Sequence, residues 1–375
     1  MGRRSSPKRD KVVSLLREQI VKGHFQPDSR LPTRAELEQQ LDVGWLTIQQ
    51  SFEELTRDGF VVPRGTLGTF VADNPPCFAN YGLVFPAHPG PRARTHWSRF
   101  YTVLIEQAEL LSRSTNKTMS IYEGVEQHDG QEERQRLWRD AMAQRLAGMI
   151  TFGTESLTTE LQARKKEKPH PHQIPPCVLF QDTPGPLPTV CVDYVGFLDK
   201  ALAYLKSKGR RRIAIVAYNN LLYLREQFAQ LLAKHGQQCP PYWMHILSPW
   251  EPEGVCNCVH LLMREQQADR PDGLIIADDH YVEPTIAGLI AAGVQADSDL
   301  DIVSFSTFPS PPRALLPVKW LGFDVREILR VCVSNIDAQR RGESVPAKSV
   351  LSAVFEEEVS ESTQPGFSVD QSVTY

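Results

Sequence analysis

The sequence predicts an α/β protein with parallel sheets, led by a small helical domain that closes on a β-hairpin. Three observations carry this reading. Apolar residues recur at helical spacing in three successive stretches from Val12 to Leu55, followed by two short extended runs around a glycine-containing turn. A polar run with adjacent prolines, Ala72 to Pro76, then marks a boundary. From Tyr81 onward, apolar strands alternate with amphipathic helices, the pattern of right-handed βαβ units.

With 375 residues the chain has room for two or three domains and a sizeable core. Its net charge of −4 offers no bulk attraction to nucleic acid, so any affinity for DNA must be local. The seven cysteines are odd in number and share no repeated spacing, which fits free thiols in a reducing compartment, and a cytoplasmic location is expected. Cys256, Cys258 and His260 form a C-x-C-x-H cluster, but no second ligand pair follows at a zinc-site spacing, so no metal and no cofactor is expected. A run of about 18 apolar residues is lacking, and MGRRSSPKRD has no apolar signal segment, so no membrane association is expected.

In the leading segment, Val12, Leu16 and Ile20 give a first helix its buried stripe, which Gly23 and Pro27 end. Thr33 and Glu36 form a capping box for a second helix that buries Leu37 and Leu41. A third helix buries Ile48, Phe52 and Leu55. Phe60–Pro63 and Gly68–Val71 make the hairpin around Arg64, Gly65, Thr66 and Leu67. Three helices with such a hairpin are a winged helix-turn-helix over residues 1–72, followed by a linker over 73–79.

The strands after the linker are YGLVFPA, TMSIYEG, GMITFG, CVLFQD, RIAIVAY, GLIIADD and LDIVSFS. Helices are expected near Arg99–Ser114, Glu132–Leu146 and Gly196–Lys208, with others ending near Leu232 and Ala292. A polar, proline-rich stretch, Lys165 to Pro176, interrupts the series, and residues 364–375 form a polar tail.

Ile20 with Gly23, the LPT run at Leu31–Thr33, Glu36 with Leu37, Thr47 with Ile48, Leu55, the DGF run at Asp58–Phe60 and GTFV at Gly68–Val71 resemble the GntR-type DNA-binding domain over about sixty residues. The resemblance implies that Thr33 and Arg34 meet the DNA backbone. Trp45, Leu46, Thr47, Gln49 and Gln50 would meet bases in the major groove, with Arg64, Gly65 and Thr66 as the wing contact. Family members usually carry arginine where this chain has Ala35, Trp45 and Gln49, and serine or threonine at Gly44. Trp45 with Gln49, and Leu46 with Gln50, lie one turn apart and outside the buried face. Glutamine pairs with adenine and an apolar side chain meets the thymine methyl, so an A·T-rich text is one reading. Packing of Trp45 against the wing, with solvated glutamines, is a second, and a protein-contact surface is a third. Arg3, Arg4, Lys8, Arg9 and Lys11, opposed only by Asp10, would supply salt-dependent phosphate attraction.

The run PDGLIIADD at Pro271–Asp279, the later Gly288, Gly293 and DIV at Asp301–Val303, and Val192–Tyr194 with Gly196, Leu205, Gly209 and RIA at Arg212–Ala214 resemble the LacI/GalR effector domain. This covers residues 80–363 and implies a two-lobed periplasmic-binding-protein-like effector domain, α/β with parallel sheets. Crossings between lobes are implied near Thr189–Val192, Leu321–Phe323 and Lys348. A small ligand would lie between the lobes, at the carboxyl ends of the strands. Candidates there are Phe85, Pro86, Tyr122, Glu123, Gln181, Asp182, Asp278, Asp279, Ser306 and Thr307, together with Arg225 and Trp250. The family's aspartate after the DIVSF strand is Ser306 here, its arginine falls at Leu224 with Arg225 one place off, and Gln181 stands where aspartate is common.

A reader joined to a sensor resembles the arabinose-type repressors. It implies a homodimeric transcription regulator, a repressor of a double-stranded operator, controlled by a carbohydrate or related polar effector. The competing class, an enzyme using Asp278, Asp279 and His280, lacks any accompanying nucleophile motif or phosphate loop. A sensor with a degenerate winged helix acting through protein contacts stands between these two.

Overall fold

The computed structural model describes residues 7–73, 75–88, 99–167, 174–181, 185–218, 223–247, 252–295 and 300–361. The winged helix runs α1 (Pro7–Val21), α2 (Arg34–Leu41), α3 (Trp45–Arg57), β1 (Val61–Pro63) and β2 (Thr69–Val71). The side chains of Val12, Leu16, Ile20, Leu37, Ile48, Phe52 and Leu55 converge with Phe60 and Val71 in one core, as their spacing requires. Burying each of these apolar side chains contributes about 1.5–3 kcal/mol. The capping box at the start of α2 is formed on both sides, with Glu36 N donating to Thr33 Oγ1 and Thr33 N to the Glu36 carboxylate. β1 and β2 pair antiparallel, Val61 opposite Val71.

A short helix α4 (Pro76–Ala79) leads directly into β3 (Asn80–Val84). There follow α5 (Arg99–Ser114), β4 (Thr118–Tyr122), α6 (Gln131–Met142), β5 (Gly148–Phe152), α7 (Glu155–Glu167), β6 (Cys177–Phe180) and β7 (Thr189–Val192). Next are α8 (Tyr194–Ser207), β8 (Ile213–Ala217), α9 (Arg225–His235), β9 (Met244–Ile246), α10 (Pro252–Met263), β10 (Gly273–Ile276) and α11 (Val282–Ala291). The chain continues with β11 (Asp301–Phe308), β12 (Lys319–Asp324), α12 (Val325–Arg340), β13 (Lys348–Leu351), β14 (Val354–Phe355) and α13 (Glu356–Glu361).

Two six-stranded sheets result, ordered β13-β7-β6-β5-β3-β4 and β14-β12-β11-β10-β8-β9. β3 lies parallel to both β4 and β5, and β10 parallel to both β8 and β11, while β14 is an antiparallel edge. Central strands such as β5 and β8 are buried at every residue, as in sheets covered by helices on both faces. The α/β class with parallel sheets is thus as expected.

The chain forms two compact units: residues 1–90, 108–189 and 331–348, and residues 91–107, 190–330 and 349–375. The crossing expected near Leu321–Phe323 falls later, between Arg330 and Val331, because β12 is an internal strand of the second sheet and α12 contributes to both units. α7 had no counterpart in the sequence reading, since Leu157 and Leu161 are its only fully buried apolar residues. The helix expected to reach Leu146 stops at Met142, where Gln144 takes a φ of 55°. Cys256, Cys258 and His260 all lie on α10, and Cys258, about 200° around the axis from Cys256, faces away from the other two. Among the described residues, no helix is long and apolar enough to cross a membrane.

Candidate functional site

Fixing the buried face of α3 decides what its other faces present. With Ile48, Ser51, Phe52 and Leu55 turned inward, Trp45 and Leu46 at the leading end are 56% and 61% exposed. More than half of the Trp45 surface is therefore open to solvent. Gly44, the N-cap of α3, supplies no side-chain cap, so the first amides of the helix keep their outward hydrogen-bonding capacity. Thr47 is half-buried, and its carbonyl accepts the Ser51 hydroxyl at 2.8 Å. Gln49 and Gln50 are half-buried. The Gln49 amide folds back along the helix, donating to Glu53 at 2.8 Å with its own oxygen covered and unpaired.

On α2, Thr33 and Arg34 are exposed, and the Arg34 guanidinium lies over the Phe52 ring at 5.9 Å. Two hydrogen bonds from Thr33, backbone first, hold the Glu36 carboxyl below its usual range. In the wing, Gly65 and Gly68 take positive φ, and Arg64 N donates to Gly68 O at 2.8 Å. Thr66 is exposed at the tip. The Arg64 guanidinium pairs with Asp28, lies 3.7 Å from Asp73, and covers Phe70 at 4.6 Å. Leu67 and Val62 are exposed beside it.

Between Pro7 and Val71, nine lysines and arginines are matched by nine acidic residues, so this stretch carries no formal charge. The basic tail is weaker than its composition implies, because Arg9 pairs with Asp10 and Glu54 while Lys8 and Lys11 stay exposed. Arg3 and Arg4 lie outside the described residues.

In the first sheet, Phe85 follows β3 and stacks on Phe152 at 4.9 Å, and Phe152 tilts against Phe180 at 5.5 Å. Phe85 is fully buried by this stack. Tyr122, at the end of β4, is also buried. Its hydroxyl donates to Asp140 at 2.8 Å, Arg136 covers its ring, and burial with Asp140 raises its pKa. Gln181 follows β6 and is half-buried. Asp182 and Trp250 lie outside the described residues.

The second sheet gathers a polar cluster after β10. Asp278 accepts the backbone N–H of His280 at 2.9 Å and lies 2.7 Å from its Nδ1. Asp279 is buried, accepts the Thr307 hydroxyl at 2.8 Å, and has its carboxyl pushed up to about 6, first by burial and then by the Asp278 charge. Arg99, at the start of α5, places Nε 3.8 Å from the Asp279 carboxylate and donates from Nη2 to Ser310 O at 2.8 Å. Asp278, Asp279 and His280 offer donor atoms within 4.8 Å of one another, the one set among the described residues arranged to hold a metal. There the Arg99 guanidinium already supplies positive charge.

Asp278, Asp279 and Thr307 are thus brought together. Ser306 is not, because neighbouring residues of a strand point to opposite faces and Thr307 takes the face toward Asp279. Ser306 is fully buried with its hydroxyl unpaired. Arg225 begins α9 and is exposed. Sequence reasoning missed Arg99, since nothing local marks the first turn of α5 as a neighbour of residues about 180 positions later.

Residues 8–71 match the gntR family of bacterial regulatory proteins, and residues 202–358 match a periplasmic binding protein-like domain. A histidine utilization repressor from Pseudomonas putida is 36% identical over 73 residues, covering 20% of this chain and 29% of that protein. The chain therefore spans under a third of the length of the curated relatives it matches. A LacI family transcriptional regulator from Lactobacillus casei, solved with bound glucose, superposes with a TM-score of 0.51 at 17% identity, over 74% of this chain and 98% of that one. Another, from an Arthrobacter species in complex with lactose, gives 0.54 at 15% identity, over 74% and 97%. These likenesses establish the LacI-type fold of the body. The chain joins a gntR-family helix-turn-helix domain at residues 8–71 to a periplasmic-binding-protein-like domain matched at residues 202–358.

Proposed function

We propose that this protein is a DNA-binding transcription regulator, a repressor that acts as a homodimer and responds to a small polar effector, a sugar or sugar derivative. The observation that carries the reading is the tip of α3. An intact buried face holds the helix in place while Trp45 and Leu46 stand in solvent at its leading end. Base contacts are assigned to Trp45, Leu46, Thr47, Gln49 and Gln50, backbone contacts to Thr33 and Arg34, and wing contacts to Arg64, Gly65 and Thr66. For Arg64 to reach DNA it must exchange Asp28 for phosphate or a base edge.

The effector is assigned to the carboxyl ends of the parallel strands, where Asp278, Asp279, Gln181 and Arg225 supply polar groups and Phe85 and Tyr122 aromatic packing; Asp182, Trp250 and Ser306 complete the assignment. Glucose and lactose bound in solved structures that share the fold support a carbohydrate. Selection of bound duplexes from a random pool, with and without a sugar panel, tests both halves. Recovery of a sequence preference that a sugar shifts is the expected result, and no enrichment at low ionic strength overturns the DNA reading.

One observation favours a second reading, a sensor whose winged helix contacts protein. Trp45, Leu46, Val62 and Leu67 are exposed within a stretch, residues 7–71, whose acids and bases balance. Failure of the duplex selection together with Trp45-dependent self-association or partner binding would select it.

A further inference from the structure

Part of the segment joining the winged helix to the body, Pro76–Ala79, is the helical turn α4, and Phe78 within it packs against the core of the winged helix. The same ring lies under the Arg340 guanidinium at 4.2 Å, and Arg340 Nη1 donates to the Phe78 carbonyl at 3.4 Å. Arg340 is steadied by Asp337 at 3.3 Å, whose carboxylate also takes the Tyr81 hydroxyl at 2.7 Å and Lys117 at 3.0 Å.

A second contact stands at the rear of α3. Asp58, its C-cap, is only 5% exposed at the side chain and binds Arg17 of α1. The other carboxylate oxygen accepts Arg145 Nη2 at 3.1 Å. Arg145 lies in the turn before β5, where its carbonyl accepts the Asn80 amide at 3.2 Å and its Nη1 reaches Asp140 at 3.2 Å. The winged helix and the first sheet accordingly fall within one compact unit.

We propose that the winged helix is clamped to the body at two points, Asp58–Arg145 and Phe78–Arg340, which makes Arg145 and Arg340 positioning residues for α3. A tether through a flexible linker would leave the direction of α3 free. Here the residue that caps its C-terminus is gripped from the body, and α3 extends about 20 Å from that grip to Trp45. Arg340 ends α12, whose first turns belong to the second unit, so the clamp sits on an element common to both.

The inference stands apart from the DNA reading, and its test needs neither DNA nor effector. Hydrogen exchange followed by mass spectrometry on the full chain compares the wild type with Arg145→Ala, Arg340→Ala and the double variant. Asp58 is left intact because it also binds Arg17 inside the winged helix. In the wild type, the amides of residues 77–80 should exchange at least about tenfold more slowly than those of an unstructured peptide. Each variant should erode that protection and the double variant remove it, while the peptide holding Ile48 and Leu55 keeps its own. Wild-type exchange at the unstructured rate would overturn the clamp, as would a double variant without effect. Equal loss of protection throughout the winged-helix core would also overturn it, because the arginines would then be serving the fold of that domain and not its placement.

Discussion

The backbone N–H of Arg99 meets Nε2 of His280 at 3.2 Å, which makes that nitrogen an acceptor and leaves the ring proton on Nδ1, 2.7 Å from Asp278. The imidazole stands between a carboxylate and a helix start, beside a second carboxylate that is buried.

That second carboxylate gives a pH prediction. The folded Asp279 carboxyl titrates at about 6 against a usual 3.8, raised chiefly by burial. Between those values the folded state binds more proton than the unfolded one, so stability falls as pH rises through the window and the loss is complete above it. A shift of about two units corresponds to about 3 kcal/mol. Asp279→Asn keeps an acceptor for Thr307 and should raise the unfolding midpoint relative to wild type at pH 7.5, with little gain at pH 4. Equal differences at both values would contradict the assignment.

Gln49 should set sequence preference. Gln49→Ala is expected to change discrimination at one base pair by about 1–3 kcal/mol while leaving affinity for random duplex within about twofold. Glu53→Ala, which releases the Gln49 amide, should alter the same position. Competition binding with a selected site and its single-base variants measures both, and a uniform loss on every sequence speaks against base reading.

The salt dependence of DNA binding counts the phosphates that the winged helix contacts. Arg34→Ala is expected to reduce the slope of log affinity against log salt by about 1, since one phosphate contact contributes about 0.9. Anisotropy titrations over a salt series provide the slope. An unchanged slope would remove Arg34 from the backbone contacts.

Gly68 should resist substitution for a backbone reason. A Cβ there would come within 2.9 Å of Arg30 Nε, a flexible end that can withdraw, but the φ of 106° cannot relax without opening the hairpin. Gly68→Ala should cost about 1–3 kcal/mol, read as a lower midpoint for the winged-helix transition. A midpoint within error of wild type would show that the wing tolerates a different turn.

Much of the fold was legible because local rules and global packing agree. The Thr33–Glu36 capping box, the Ile48, Phe52 and Leu55 stripe and the strands from YGLVFPA to LDIVSFS all depend on spacing along one segment. α7 was hidden because its polar surface outweighs two buried leucines, and the late crossing in α12 because strand membership is a property of the sheet. The site was less legible. That the Tyr122 hydroxyl meets Asp140, and that Thr307 is the residue of its strand that reaches Asp279, are pairings no local signal marks.

The sequence by itself determined which helix carries the exposed tip, where the parallel strands run, and that Asp278 and Asp279 end one of them, since periodicity and capping act over a few residues. Only the tertiary structure decided that Arg99 lies against Asp279, that Arg64 is held by Asp28, and that Arg145 and Arg340 grip the winged helix. Such pairings join residues tens to hundreds of positions apart, and desolvation and charge choose among many possible partners only after the sheets have brought them within reach.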